Sequence, residues 1–127
     1  MLEPTIRDLA RGPNFAALTI IPPSGHPMTH VMWIDADDDH VLINTEEHRA
    51  KAKAMDTDGR VTVAIMDRDN PYHYAEVRGR VVGTVTGDAA RAHIDALAMK
   101  YTGKPYAGEI TSARVIYQIA PERQRIQ

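Results

Sequence analysis

The sequence predicts a mainly β protein, a six-stranded antiparallel β-barrel with short helices, built as one domain over residues 1–127. Three observations predict this fold class. Six apolar runs have the length of strands, the helical segments between them are few and short, and the regular strand–helix alternation of parallel sheets is missing. A closed or nearly closed antiparallel barrel agrees with all three observations.

Length and composition restrict the classes of function. The 127 residues suit one core, and 15 Lys and Arg against 17 Asp and Glu give a net charge of −2. With a pI near 6.3, we expect neither nucleic acid nor a membrane as partner. Because cysteine is absent and no apolar stretch has the length of a signal core or membrane span, we expect a soluble, cytoplasmic protein without disulfides.

The first half of the chain is expected to form two short helices among four strands. Pro4 suits the first turn of an opening helix that Gly12-Pro13 ends. The helix-forming residues of HRAKAKAM (48–55) predict the second helix. Strands are predicted at NFAALTII (14–21), PMTHVMWI (27–34), HVLINT (40–45) and RVTVAIM (60–66).

The fifth predicted strand, YHYAEVRGRVVGTVT (72–86), is unusually long. Its glycines, Gly79 and Gly83, fall on the same face as Val77 and Val81. Because glycine in a strand often marks a bulge or sharp bend, we expect these two positions to curl the sheet into a barrel.

A helix and a last strand complete the predicted fold. Asp88 is expected to cap a helix that runs to about Tyr101 and ends at Gly103. The run ARVIYQIA (113–120) predicts the sixth strand. We expect this strand to end before Pro121, which has no N–H to donate to a sheet.

Three cations alternate with alanine in the second predicted helix, at Arg49, Lys51 and Lys53. At about 100° per residue, Arg49 and Lys53 share a face, and Lys51 points away unless the helix is only starting there. Helix N-termini attract anions, so this segment is a candidate phosphate or carboxylate site. A solvent-exposed basic face balanced by Glu46 and Glu47 is the alternative interpretation.

Other chemistry-bearing patterns are incomplete. Asp35, Asp37, Asp39 and Glu46 match a calcium-binding loop, but His40 replaces its glycine, so we expect no metal there. The six histidines lack the spacing of a helical metal pair, and the two serines lack the context of a nucleophile elbow.

Several aromatic and histidine residues allow two interpretations. Tyr72 and Tyr74 share a strand face, with His73 opposite, and could pack at an interface or stack on a flat ring. His30 and Trp33 could equally be structural or site residues. The spacing of these residues leaves both interpretations open.

Three blocks of sequence, in their order and spacing, resemble one known family. They are residues 15–82, HIDALAMKYTGKPY (93–106) and VIYQIAPERQRI (115–126). Together they resemble the pyridoxamine-phosphate-oxidase-like oxidoreductases, and among these the actinobacterial branch that uses the deazaflavin coenzyme F-420. The resemblance implies the FMN-binding split β-barrel fold, a homodimer, and cofactor clefts at the subunit interface.

The resemblance also implies the cofactor-binding residues. The RAKAK cations would meet the phosphate and acidic tail of the coenzyme through charge-assisted hydrogen bonds, which requires the helix to start near His48. Residues of the second and third strands would contact the ring and the ribityl chain, and the tyrosines would reach the cleft of the other subunit. The implied residues are Thr29, His30, Val31, Met32, Ile43, Asn44, Thr45, Arg49, Lys51, Lys53, Tyr72 and Tyr74, with His73 as a further candidate.

The implied reaction is hydride transfer from the reduced deazaflavin to a conjugated small-molecule acceptor, such as a quinone, an enone-containing lactone or a tetrapyrrole. Because such chemistry belongs to the cofactor, the absence of a triad does not argue against an enzyme. Candidates for a general acid are His30, Tyr72 and Tyr74. An FMN-dependent flavoprotein and a non-enzymatic deazaflavin carrier are the alternatives, and the third cation, Lys53, favours the longer acidic tail of the deazaflavin.

Overall fold

One antiparallel sheet dominates the computed structural model, which describes residues 1–127. In chain order the elements are α1 (Pro4–Arg11), β1 (Phe15–Ile20), β2 (Met28–Trp33), β3 (Asp35–Ala36), β4 (Val41–Glu46), α2 (Ala50–Thr57), β5 (Arg60–Met66), β6 (Tyr74–Val85), α3 (Gly87–Thr102) and β7 (Arg114–Ile126). The strand order in the sheet is β2-β1-β5-β6-β7-β4-β3, and all neighbours are antiparallel.

This architecture confirms the predicted fold class, because a mainly β chain with short helices curls its sheet into a half-barrel. The sheet has seven strands rather than the predicted six. The additional strand is Asp35–Ala36, which pairs with Val41 and Leu42 at the start of β4. Sequence patterning missed it because two residues are too few to show an alternation.

Alternation along the strands places one face of the sheet in the core. The buried positions are Ala16, Leu18 and Ile20 in β1 and Val61, Val63 and Ile65 in β5. Helix α1 adds Ile6 and Leu9 to the same cluster. Its first turn is stabilised by Pro4 and by the Glu3 carboxylate, which accepts hydrogen bonds from two backbone N–H groups.

Two bulges lie beside the glycines and curl the sheet, as the glycines predict: Glu122 is the extra residue in β7 and Val82 the extra residue in β6. The pairing with β7 shifts register between Arg78 and Gly79 and again between Val81 and Gly83. A Cβ at Gly79 would collide with the carbonyl oxygen of Ala120, so only glycine allows the two strands to approach at this point.

Helix boundaries depart from the prediction by a few residues. Helix α2 begins at Ala50, with Arg49 as its N-cap, so Lys51 lies in the first turn. Thr86 occupies the N-cap position of helix α3 without a side-chain capping bond, and Asp88 lies inside the first turn, where its charge interacts favourably with the helix dipole. Gly103 ends α3 in the left-handed conformation, with φ of 77°, as expected. None of the helices is both long and apolar enough to cross a membrane.

Strand β7 does not end before Pro121, and that prediction is wrong. The strand continues to Ile126. Pro121 lies opposite Gly79 at the first bulge, where the hydrogen-bond ladder is already interrupted and a missing N–H costs little.

We predict that Gly79→Ala destabilises the fold by about 2 kcal/mol or more, because the added methyl group meets backbone atoms of β7 that cannot move away. The matched control is Gly83→Ala, whose methyl group meets the movable end of the Gln118 side chain. We expect the control to lose less than about 1 kcal/mol. Urea unfolding of the two variants measures both values, and equal losses would contradict the role assigned to Gly79.

Candidate functional site

A cavity of about 270 Å³ lies where β2, β4, α2, α3 and β7 come together. The C-terminal end of β4 and the first turn of α2 form one side of it, and α3 and the loop before β7 form the other. Its lining residues are Met32, Trp33, Asn44, Thr45, Arg49, Lys51, Ile94, Leu97, Tyr106 and Arg114.

Aromatic side chains form one wall of the cavity. The ring of Trp33 stacks on Tyr101 at a centroid distance of 5.1 Å and an interplanar angle of 6°. Tyr106 meets Trp33 edge to face at 6.3 Å. Because Tyr101 is also bonded to backbone groups of Ile34, the Trp33 indole is held in a fixed orientation. The wall is therefore a rigid apolar surface.

Three cations, Arg49, Lys51 and Arg114, line the same cavity. Arg49 pairs only loosely with Glu46, at 3.7 Å between Nε and Oε2, and neither Lys51 nor Arg114 forms an ion pair. Burial, followed by the charges of Arg49 and Arg114, lowers the pKa of the Lys51 ammonium. The cavity therefore carries excess positive charge that an anion would stabilise.

Glu46 connects the cationic segment to the loop between α3 and β7. The residue is only 1% exposed, and Oε1 accepts hydrogen bonds from the N–H groups of Thr111 (2.7 Å) and Ser112 (3.3 Å). Burial raises the pKa of Glu46, but these hydrogen bonds and the charges of His48 and Arg114 outweigh it, so the pKa lies below its ordinary value. The ionised carboxylate thus holds the loop against the start of α2.

Arg114 is directed into the cavity by two contacts. Its Nε donates a hydrogen bond to Oδ1 of Asn44 at 2.9 Å, and its guanidinium lies 5.4 Å from the centre of the Tyr106 ring. The residue stands opposite Glu46 in the pairing of β4 with β7. Only this strand pairing brings the first residue of β7 to the RAKAK segment, so the linear sequence carried no signal for it.

Helix α2 is fastened to the sheet through Tyr117. The hydroxyl of this buried side chain donates to Oδ1 of Asp56 at 2.7 Å and lies 3.2 Å from the carbonyl oxygen of Ala52. Burial, with the Asp56 hydrogen bond, raises the pKa of Tyr117, so the hydroxyl keeps its proton. Together with buried Met55, this contact fixes where the first turn of α2 faces.

The structure brings five of the twelve residues implied by the resemblance into the cavity. These are Met32, Asn44, Thr45, Arg49 and Lys51. The cavity also contains Trp33, whose role the sequence left open, and four residues that sequence reasoning missed. The missed residues are Ile94, Leu97, Tyr106 and Arg114.

The other seven implied residues lie outside the cavity of their own chain. Thr29 and Val31 are exposed on the outer face of β2, and His30 is half-buried on the opposite face of the strand. Ile43 is fully buried in the core, and Lys53 is exposed on α2. Tyr72 and Tyr74 lie at the β5–β6 turn, with Tyr72 83% exposed; the neighbouring His73 bonds Asp67 of the same turn, with 3.2 Å between Nδ1 and Oδ2.

A serine and a histidine meet beside the cavity without forming a hydrolytic triad. The Ser112 hydroxyl lies 2.6 Å from Nδ1 of His48, and the Glu46 carboxylate lies 3.7 Å from that same nitrogen. A triad requires the serine and the acid on opposite ring nitrogens. The arrangement therefore does not activate Ser112 as a nucleophile.

A sequence model of one family, described as pyridoxamine 5'-phosphate oxidase, matches residues 2–127. The chain belongs to the pyridoxamine 5'-phosphate oxidase family. The match covers almost the whole chain, so it confirms the family resemblance and the split-barrel fold that the sequence suggested. None of the curated proteins matches the sequence of this chain.

Solved structures agree with the family assignment. One described as an F-420 reductase is 27% identical, with a TM-score of 0.82 and 98% of both chains covered. A conserved hypothetical protein from Mycobacterium tuberculosis is 25% identical, with a TM-score of 0.76, over 99% of this chain and 84% of that one. HupZ from Group A Streptococcus, at 19% identity and a TM-score of 0.68 over the whole of both chains, shares the fold.

We predict that Glu46→Gln makes this pyridoxamine 5'-phosphate oxidase family member about 1 kcal/mol less stable at neutral pH, because a neutral amide accepts the loop hydrogen bonds less strongly. Since folding lowers the pKa of Glu46, its contribution is present above the pKa of the unfolded chain and is lost as the pH falls through the folded-state pKa. The free energies of unfolding of wild type and variant should therefore converge at acidic pH, below the folded-state pKa of Glu46. The exposed neighbour Glu47→Gln is the control, and an equal loss in it would contradict the role of Glu46.

Proposed function

We propose that this chain is a coenzyme F-420-dependent oxidoreductase that transfers hydride from the reduced deazaflavin to a conjugated small-molecule acceptor. One observation carries the proposal: a rigid aromatic wall and three poorly neutralised cations share one cavity. A planar ring joined to an anionic tail matches the aromatic wall and the cations at once. Membership in the pyridoxamine 5'-phosphate oxidase family supports the oxidoreductase class.

The residues of the cavity fit such a coenzyme. Arg49, Lys51 and Arg114 supply the charges that bind a phosphate and an acidic tail, and the half-buried Lys51 ammonium lacks the partner that an anion would provide. Trp33 and Tyr106 offer a flat apolar surface on which a ring can be oriented and from which water is excluded. When bound, the deazaflavin supplies the hydride-transfer chemistry.

Two observations favour the deazaflavin over FMN. The 27% identical structure is described as an F-420 reductase. Three cations also exceed what the single phosphate of FMN needs, although Arg114 now takes the place that sequence reasoning gave to Lys53. An FMN-dependent flavoprotein and a deazaflavin carrier without turnover are the outcomes against which the proposal is tested.

A homodimer completes the proposed site. A cavity of about 270 Å³ holds only part of a flavin-sized coenzyme, so the remainder needs a second surface. On the outer face of β2, β1 and β5, the apolar side chains of Val31, Ala17 and Ala64 lie in one row. Val31 is 70% exposed there. We propose that a second copy covers this face and contributes Tyr72 and Tyr74 to the cleft.

Proton delivery to the acceptor is also proposed to come from this region. His30 lies on the same face of β2 as Met32, which lines the cavity. Tyr72 and Tyr74 would come from the second subunit. Each of the three can donate a proton, and their single replacement with retained coenzyme binding but lost turnover would identify the donor.

We predict that Lys51→Met weakens coenzyme F-420 binding about tenfold or more at low salt, because it removes an unpaired cation from the cavity. The control is Lys53→Met, an exposed lysine two residues along the same helix, for which we expect a change below about threefold. Fluorescence titration with F-420 and, in parallel, with FMN measures both. Tight binding of FMN and none of F-420 would overturn the proposed cofactor.

The same titration has a predictable pH dependence. Lys51 binds the anion only when protonated, and its pKa is lowered in the free protein, so affinity should decline as the pH rises through that pKa. The Lys51→Met variant should lose this alkaline decline. A decline of the same size in wild type and variant would show that another group is responsible.

We predict that Val31→Asp converts the proposed dimer to a monomer and weakens F-420 binding, because it places a charge in the apolar row of Val31, Ala17 and Ala64. Val82→Asp, at another exposed valine, is the control and should leave the dimer intact. Light scattering after size-exclusion chromatography gives the mass of each. A monomeric wild-type protein that still binds F-420 tightly would contradict the shared cleft.

A further inference from the structure

A chain of four side chains leads from the cavity wall to β3. Arg114 Nε donates to Asn44 Oδ1 at 2.9 Å, and Asn44 Nδ2 lies 3.0 Å from Nδ1 of His93. On the other side of the ring, His93 Nε2 lies 2.8 Å from Oδ2 of Asp35. Asn44 and Arg114 are buried, and the four residues come from β7, β4, α3 and β3.

The partners of Asn44 fix the direction of its amide. Its Nδ2 also donates to the carbonyl oxygen of Ala90 at 3.0 Å. A carbonyl oxygen can only accept and the Nε–H of Arg114 can only donate, so a turned amide would lose both bonds and create two repulsive contacts. Asn44 Nδ2 therefore faces Nδ1 of His93 as a donor.

The direction of the amide in turn fixes the protonation of His93. Because Nδ1 must accept from Asn44, the ring proton lies on Nε2, where it is donated to Asp35. Burial raises the pKa of Asp35, but the hydrogen bonds from His93 and the Ala36 N–H and the charge of Lys100 outweigh it, so the pKa is lowered and Asp35 remains an acceptor. Every donor in the chain then points from the cavity towards Asp35.

We infer that Asn44 and His93 are positioning residues that hold the Arg114 guanidinium in the anion site, with His93 neutral and protonated on Nε2. The inference rests on the anion-binding role proposed above. Arg114 has no carboxylate partner to hold it, so the only side-chain oxygen that orients its Nε is that of Asn44. His93 and Ala90 prevent that oxygen from turning away.

Protonation of His93 would release Arg114. A second ring proton on Nδ1 would face the Asn44 amide hydrogens, and turning the amide would set those hydrogens against Arg114. The groups that face the His93 ring are Asp35 from β3 and Asn44 from β4, with Arg114 of β7 behind Asn44; Lys100, on the same helix as His93, acts on Asp35. A donor at the Nδ1 position, or the loss of the acceptor there, should consequently weaken anion binding.

The test uses the full chain and sulfate, an anion whose charge does not change between about pH 5 and pH 8. His93→Gln keeps an acceptor for Asn44 and a donor for Asp35, whereas His93→Leu offers neither. We expect His93→Gln to bind sulfate within about twofold of wild type at neutral pH, and His93→Leu to bind about tenfold more weakly. His48→Gln controls for the other histidine near the cavity and should bind sulfate within about twofold of wild type.

Nitrogen NMR of the wild-type ring supplies an independent readout, with the proton expected on Nε2 at neutral pH. A proton on Nδ1, a folded His93→Leu variant that binds sulfate like wild type, or a folded His93→Gln variant that binds as weakly as His93→Leu would each overturn the inference. Sulfate binding requires no coenzyme. If F-420 failed to bind while the sulfate results held, the proposed cofactor would fall and the positioning role would stand.

Discussion

An imbalance of charge at the junction of β4, α2 and β7 is the constraint on which the rest of the site depends. Three cations meet there. The one buried carboxylate, Glu46, accepts its hydrogen bonds from the loop before β7 and not from these cations. The fold tolerates this arrangement because Tyr117 and the core under α2 hold the helix in place. Like charges held close together are unfavourable, and local departures of this kind are frequent at functional sites.

The curl of the sheet brings the components of the site together. Bulges at Gly79 and Gly83 bend β6 against β7, and β7 also pairs with β4, so the segment after β4 comes to lie next to the first residue of β7. Helix α3 then covers the concave side and contributes His93, Ile94 and Leu97. The cationic cavity, its aromatic wall and the hydrogen-bonded chain behind Arg114 all follow from this one closure.

Much of the fold could be predicted because it depends on local patterns. Strand alternation, the bulge glycines and the glycine that ends α3 each show in a few consecutive residues. The two-residue strand β3 and the continuation of β7 through Pro121 could not be predicted in this way, because both depend on the pairing with a partner strand. In the site, Arg49 and Lys51 were found from a run of charge, whereas Arg114 and Tyr106 belong to a distant part of the chain and required the strand pairing.

Trp33 gives the cavity a fluorescence signal of its own. It is the only tryptophan of the chain, and its indole forms part of the cavity wall, stacked on Tyr101. Nearly all of the long-wavelength intrinsic emission of the protein therefore originates at the site. A coloured ring that stacked there would quench this emission by energy transfer, so occupancy can be followed in the unlabelled protein.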